Sequence, residues 1–201
     1  MASTMEECRA FLFADYFIDN EDILALFGYD DYSLPTADDL IYYAYLHIGV
    51  EGLRALCSYK AEDQAWGGDH DQALFAILNH MLNHGNGVIT VEHDGVDKKL
   101  YVHVDRTKIR FHGKPAIGQM LCKLHIWHLT AGIEACKSYY ESLSTIDDVY
   151  ESWRQIVVSN PEPKWKFVQP NTFLKEDGTV ELREYEASNA GIVKSFYARN
   201  V

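Results

Sequence analysis

Gln64 to Gly87 reads QAWGGDHDQALFAILNHMLNHGNG, and the fold is decided here. Leu74, Ile77, Leu78, Met81 and Leu82 recur at steps of three and four, the apolar stripe of a helix predicted over Gln64–His84. Gly85-Asn86-Gly87 ends that helix in the left-handed conformations that glycine and asparagine tolerate. The chain then changes period. Val88–His93 and Lys99–Val104 flank the turn Asp94-Gly95 and read as a β-hairpin.

Working outward, the same two periods account for the rest. Upstream, Ser3-Thr4-Met5-Glu6 matches a capping box, with Ser3 as N-cap and Glu6 at the third helical position. Met5, Cys8, Leu12 and Tyr16 follow at helical spacing. A short helix over Asn20–Phe27 and a longer one over Ala37–Ser58 come next, separated by Leu34-Pro35. Downstream, Pro115 sits where a helix starts, and Ala116–His128, Ala131–Ser142 and Ile146–Ser159 read as helices. A second hairpin, Lys166–Leu174 with Thr179–Tyr185, turns at Asp177-Gly178, and a last helix covers Ala187–Tyr197. The fold class expected is α+β, mainly α-helical, as one domain over residues 1–201 with two β-hairpins.

Composition narrows the function. A hydrophobic fraction of 47%, with 13 Tyr, 9 Phe and 4 Trp, supports a substantial core. The net charge of −12 argues against nucleic acid and anionic membrane as partners, since both need a positive footprint. Between Ala10 and Val50 there is no Lys or Arg, while eight acids run from Asp15 to Asp39. That segment reads as a solvated acidic face or a docking face for a cationic partner. Four cysteines without a CxxC pair, no signal-peptide pattern and no long apolar run lead to an expected cytoplasmic location with free thiols.

Three clusters carry chemistry. His70, Ala73, Ile77, His80 and His84 share one helical face, but Met81 stands where a zinc helix of HExxH type needs its glutamate. These are read as surface or partner-facing histidines. Cys122, His125 and His128 step by three and drift around their helix, so they read as packing residues. Glu6 and Glu7 suit acid/base work, because carboxylates in one site split their pKa values; an acid at a helix start also stabilises the helix.

A resemblance adds what spacing does not. Glu6-Glu7-Cys8-Arg9-Ala10 resembles the second zinc motif of the dipeptidyl peptidase III family, zinc exopeptidases that remove dipeptides from peptide N-termini. Ile23–Gly28, His70–Ala73, Val104–Arg110, Val168–Thr172 and Glu184–Ser188 are similar to further blocks of that family in the same order. The resemblance implies part of a helical upper lobe bordering a cleft. It implies Glu7 as the match to a zinc-ligating glutamate, Glu6 as its neighbour, and His70 as a histidine reaching the scissile bond. Arg9, Phe11, Gln72 and Leu74 are the substrate-binding positions it suggests.

The departures from the family shape the expected function. The motif HExxGH, which supplies two histidine ligands and the catalytic glutamate, does not occur in the 201 residues. Phe11 stands in place of an acid, Leu74 in place of an arginine, and Asn160-Pro161 in place of a basic pair. The expectation is therefore a repurposed stand-alone enzyme with no metal cofactor, its zinc site degenerate. Glu6, Glu7 and His70 would perform acid/base chemistry (isomerisation, cyclisation or hydrolysis) on a small apolar substrate, as in secondary metabolism. The alternatives carried are a non-catalytic binding or regulatory module, and a fragment or split half of a zinc dipeptidyl peptidase. Self-association as a homo-oligomer is left open.

Overall fold

In a computed structural model, residues 2–94, 96–161 and 166–199 are described. The chain forms two compact units, residues 1–160 and 161–201. The first holds helices α1 (Ala2–Phe17), α2 (Glu21–Leu26), α3 (Ala37–Arg54), α4 (Asp69–His84), α5 (Lys114–Leu129), α6 (Ile133–Ser144) and α7 (Asp148–Ser159). It also holds two antiparallel pairs, β1 (Tyr59–Lys60) with β2 (Ala65–Trp66), and β3 (Ile89–Asp94) with β4 (Lys99–Val104). The architecture is α+β and mainly helical. No helix among the described residues is long and apolar enough to cross a membrane.

α4 is the axis of this unit, packing against α1, α3, α5 and α6. Ala73 and Phe75–Met81 are buried, so the middle of the helix is enclosed on all sides rather than along one stripe, while Asn83 and His84 at its end are exposed. Gly52 of α3 makes the α3–α4 crossing close: a Cβ there would lie 2.4 Å from the Leu78 Cβ. This central position overturns the expectation of a surface His80. The residue is 0% exposed, with Nε2 donating to the Ala116 carbonyl at 2.8 Å and Nδ1 accepting from the Tyr139 hydroxyl at 3.2 Å. Burial pushes its imidazole down to about 4. Asn79 is satisfied in the same way, donating to the Leu143 carbonyl and accepting from the Tyr150 hydroxyl, each at 2.8 Å.

Local chemistry fixes several helix ends, although of these caps only the stop after α4 is expected from the sequence. Thr36 and Asp39 form a reciprocal capping box, and Asn20 and Asp147 cap α2 and α7. Asn86 and Gly87 take positive φ values of 51° and 73° after α4. Ser3 is a correction. α1 already includes it, and its hydroxyl, with that of Thr4, donates to the Asp69 carboxylate rather than capping a helix. The start of α4 is another. Residues expected as its first turns form β2, paired with β1 through Tyr59↔Trp66 and Lys60↔Ala65, so a third small sheet joins the two expected hairpins. Gly95, expected in the first hairpin's turn, lies outside the described residues.

The second unit contains β5 (Asn171–Leu174), β6 (Val180–Arg183) and α8 (Asn189–Arg199). Asn171 of β5 is buried and donates at 2.9 Å to both the Tyr185 hydroxyl and the Ser195 carbonyl, which ties the hairpin to α8.

Candidate acid–base site

The site is built on the first turns of α1 and α4. Ser3 Oγ donates at 2.5 Å and Thr4 Oγ1 at 2.7 Å to the two carboxylate oxygens of Asp69. These hydrogen bonds hold the Asp69 carboxyl below its ordinary range. They also set the two helix starts side by side. One turn further along α1, Glu7 Oε2 meets His70 Nε2 at 2.9 Å. The pair faces outward, with the His70 side chain 66% exposed and that of Glu7 36% exposed. Phe11 closes one side, its ring edge-on to the imidazole at 5.9 Å.

Glu6 points elsewhere, as adjacent helical positions must. Arg9 grips both its oxygens, at 2.8 and 2.7 Å, and His128 Nδ1 of α5 approaches Oε1 at 2.9 Å. Arg9 Nη2 lies 3.0 Å from His125 Nδ1; a guanidinium only donates, so this imidazole nitrogen accepts. The two glutamates therefore serve different contacts, Glu7 toward α4 and Glu6 toward α5, and do not form one paired carboxylate site.

Of the positions expected to touch substrate, Arg9 and Phe11 accompany the glutamates, while two others do not. Gln72 Nε2 donates to Ser144 Oγ at 2.9 Å and lines a separate cavity with Tyr59 and Trp66. Leu74 is half-buried against the core. His125 and His128, which spacing assigned to packing, prove to be the α5 partners of Arg9 and Glu6, and Cys122 is exposed; the partners lie on α1, more than a hundred residues away, so spacing within α5 carried no signal of them.

Among the described residues, no three His, Cys, Asp or Glu side chains converge as a metal site would require. Catalytic zinc takes about three protein ligands. The donor set of these residues by itself, one glutamate in contact with one histidine, does not fit a complete zinc site.

A carboxylate and an imidazole in contact on an exposed helical face form an acid–base pair. The class of protein becomes specific by comparison: the family model described as Peptidase family M49 matches residues 1–200, and the chain belongs to that family. It is similar to dipeptidyl peptidase 3 of Nematostella vectensis, 36% identical over 202 residues. It is also similar to that of Rattus norvegicus, 37% identical over 206 residues, and of Dictyostelium discoideum, 31% over 203 residues. These alignments cover 99% of this chain but only 27–28% of each relative, so the chain spans about a quarter of the relatives' length.

Proposed function

We propose that this chain carries one wall of a dipeptidyl-peptidase-type active site, completed by groups beyond these 201 residues. The observation that supports this most is the Glu7–His70 contact at 2.9 Å on an outward face. An acid–base pair left this open faces bulk water, whereas peptide hydrolysis needs a single placed water in a site closed to bulk solvent. Glu7 would give one carboxylate to a larger ligand set. His70 would hold or deliver a proton beside the peptide, and Phe11 would limit how the ring can turn. Dipeptides, read by mass spectrometry, should appear when the chain is combined with a polypeptide bearing HExxGH, and Glu7→Gln should abolish their release. Unchanged release by that variant would remove Glu7 from the site.

A second reading keeps the chain as a metal-independent acid/base enzyme for a small apolar molecule. It draws on the aromatic ring of Phe11 packed at 5.9 Å from His70, where the family resemblance places an acid. Under this reading the chain alone turns over such a molecule in the presence of a chelator, and His70→Ala stops it while the melting temperature holds. Turnover lost on chelation would eliminate the metal-free route.

A further inference from the structure

A cavity of about 500 Å³ lies in the first unit where the β1–β2 pair meets α4 and the end of α6, and none of its lining residues belongs to the acid–base site. The volume falls within the roughly 300–1,000 Å³ of small-molecule sites. Tyr59 and Trp66, paired across the two strands, give it an aromatic wall, their ring centroids 5.3 Å apart at 65°. Trp66 is fixed in place. Its Nε1 donates to the Ser144 carbonyl at 2.9 Å, and its ring packs 5.3 Å from that of Phe75. A wall held this way is pre-organised, which lowers the ordering cost of binding.

Gln64 breaks a local rule at the same cavity. Its φ is 49°, in the left-handed region where a residue with a Cβ is strained and glycine is not. Glycine would close the turn from β1 to β2 more easily. The Gln64 side chain lines the cavity, is exposed, and makes no hydrogen bond among the described residues. Backbone strain kept at a cavity wall points to a use for the side chain.

The rest of the polar lining limits the ligand. Gln72 commits its Nε2 to Ser144 Oγ, which leaves Oε1 to accept. Thr145 Oγ1 donates to the Glu141 carbonyl at 2.8 Å and can also accept. The Glu141 carboxylate, 4.0 Å from Lys137, would repel an anionic ligand. A hydrocarbon would leave these groups and the Gln64 amide unpaired. A quaternary ammonium has neither a donor for the acceptors nor an acceptor for Gln64 Nε2. Hydroxyl groups have both, and the C–H face of a sugar ring carries the partial positive charge that an aromatic face attracts.

We propose that this cavity binds a neutral hexopyranose, its C–H face on Tyr59 and Trp66 and its hydroxyls shared among Gln64, Gln72 and Glu141.

Saturation-transfer difference NMR with the methyl glycosides of glucose, galactose, mannose and N-acetylglucosamine tests the assignment. At least one should bind saturably, with the strongest transfer at its ring C–H protons. Gln64→Gly should weaken that binding roughly threefold to tenfold, the loss of one hydrogen bond, while the melting temperature holds or rises. Tyr59→Leu keeps an apolar side chain but removes the ring, and should weaken binding as well. Absence of transfer to all four glycosides, or binding unchanged in Gln64→Gly, would overturn the proposal. So would choline binding in place of the glycosides, which would make the aromatic wall a cation site.

Discussion

Thr4 Oγ1 donates a 2.7 Å hydrogen bond to Asp69, joining the first turn of α1 to the first residue of α4. Thr4 is buried at 2% exposure, so the bond is held in place by packing. Its consequence lies one turn on, where Glu7 and His70 meet. Thr4→Val keeps the shape and removes the donor. The melting temperature should fall by roughly 2–4 °C, as the loss of one such bond implies in a chain of this size. Proton cross-relaxation between the His70 and Phe11 rings should weaken as well. Retention of that cross-relaxation would show that the clamp does not position the pair.

His80 should make the protein acid-sensitive. Burial pushes its imidazole down to about 4, from an ordinary value of 6.5. Between these values the unfolded chain binds the proton and the native state does not, so stability is lost as pH falls from 6.5 toward 4. The loss attributable to this residue reaches up to roughly 3 kcal/mol. His80→Gln retains a donor for Ala116 and an acceptor for Tyr139 but does not titrate. Urea denaturation at pH 7 and at pH 4.5 should show the parent losing ground to the variant on acidification; a constant difference would contradict the neutral buried imidazole.

Asp15 should act in the opposite direction. Burial pushes its carboxyl up to about 7, against an ordinary 3.8. The native state therefore keeps the proton where the unfolded chain has released it, and stability falls as pH rises from about 3.8 to 7. Asp15→Asn removes the cost of ionising a half-buried carboxyl. It should be more stable than the parent above pH 7, by on the order of 2 kcal/mol, and close to it near pH 4. Thermal melts of the two proteins across that range give the comparison directly, and a variant less stable at pH 8 would mean the carboxylate has a partner it needs.

How much could be read in the sequence depended on the range of the interactions. Turns such as Asp177-Gly178 are made by neighbours in the chain, so α2, α3, α5, α6, α7 and the first hairpin lie within a few residues of expectation, while the second hairpin keeps its turn but its first strand starts at Asn171 rather than Lys166. Ser3 defeated the same reasoning because its hydroxyl found a partner on another helix, and Asp69 outcompeted the local capping role. His80 was misplaced because periodicity identifies which residues share a face but not how many neighbours surround the helix. For the candidate site, the family resemblance brought Glu7 and His70 together as residues of one cleft, and the structure puts them in contact. It did not reveal that Gln72 turns to Ser144, since adjacent positions on α4 face different elements.

Gly52 sets the separation of α3 and α4, and this can be measured. A methyl group at residue 52 would lie 2.4 Å from the Leu78 Cβ and 3.1 Å from the Leu74 carbonyl oxygen. Neither neighbour can swing away: one is the root of a fully buried side chain and the other is backbone. Gly52→Ala would ordinarily favour a helix by up to about 1 kcal/mol. Here overpacking of a buried contact should outweigh that gain, with a net loss of roughly 1–3 kcal/mol. Leu78→Ala alone should cost about 2–5 kcal/mol through the cavity it leaves. It removes the Leu78 Cδ2, 2.8 Å from the added methyl, but keeps the Cβ, so it should relieve the clash only in part and the double variant should lose somewhat less than the sum of the two. Leu78→Gly does remove the Cβ, and in that background the Gly52→Ala penalty should shrink. Denaturant unfolding of the six proteins in these two cycles decides the matter, and a Gly52→Ala variant more stable than the parent would show that the helices have room to part.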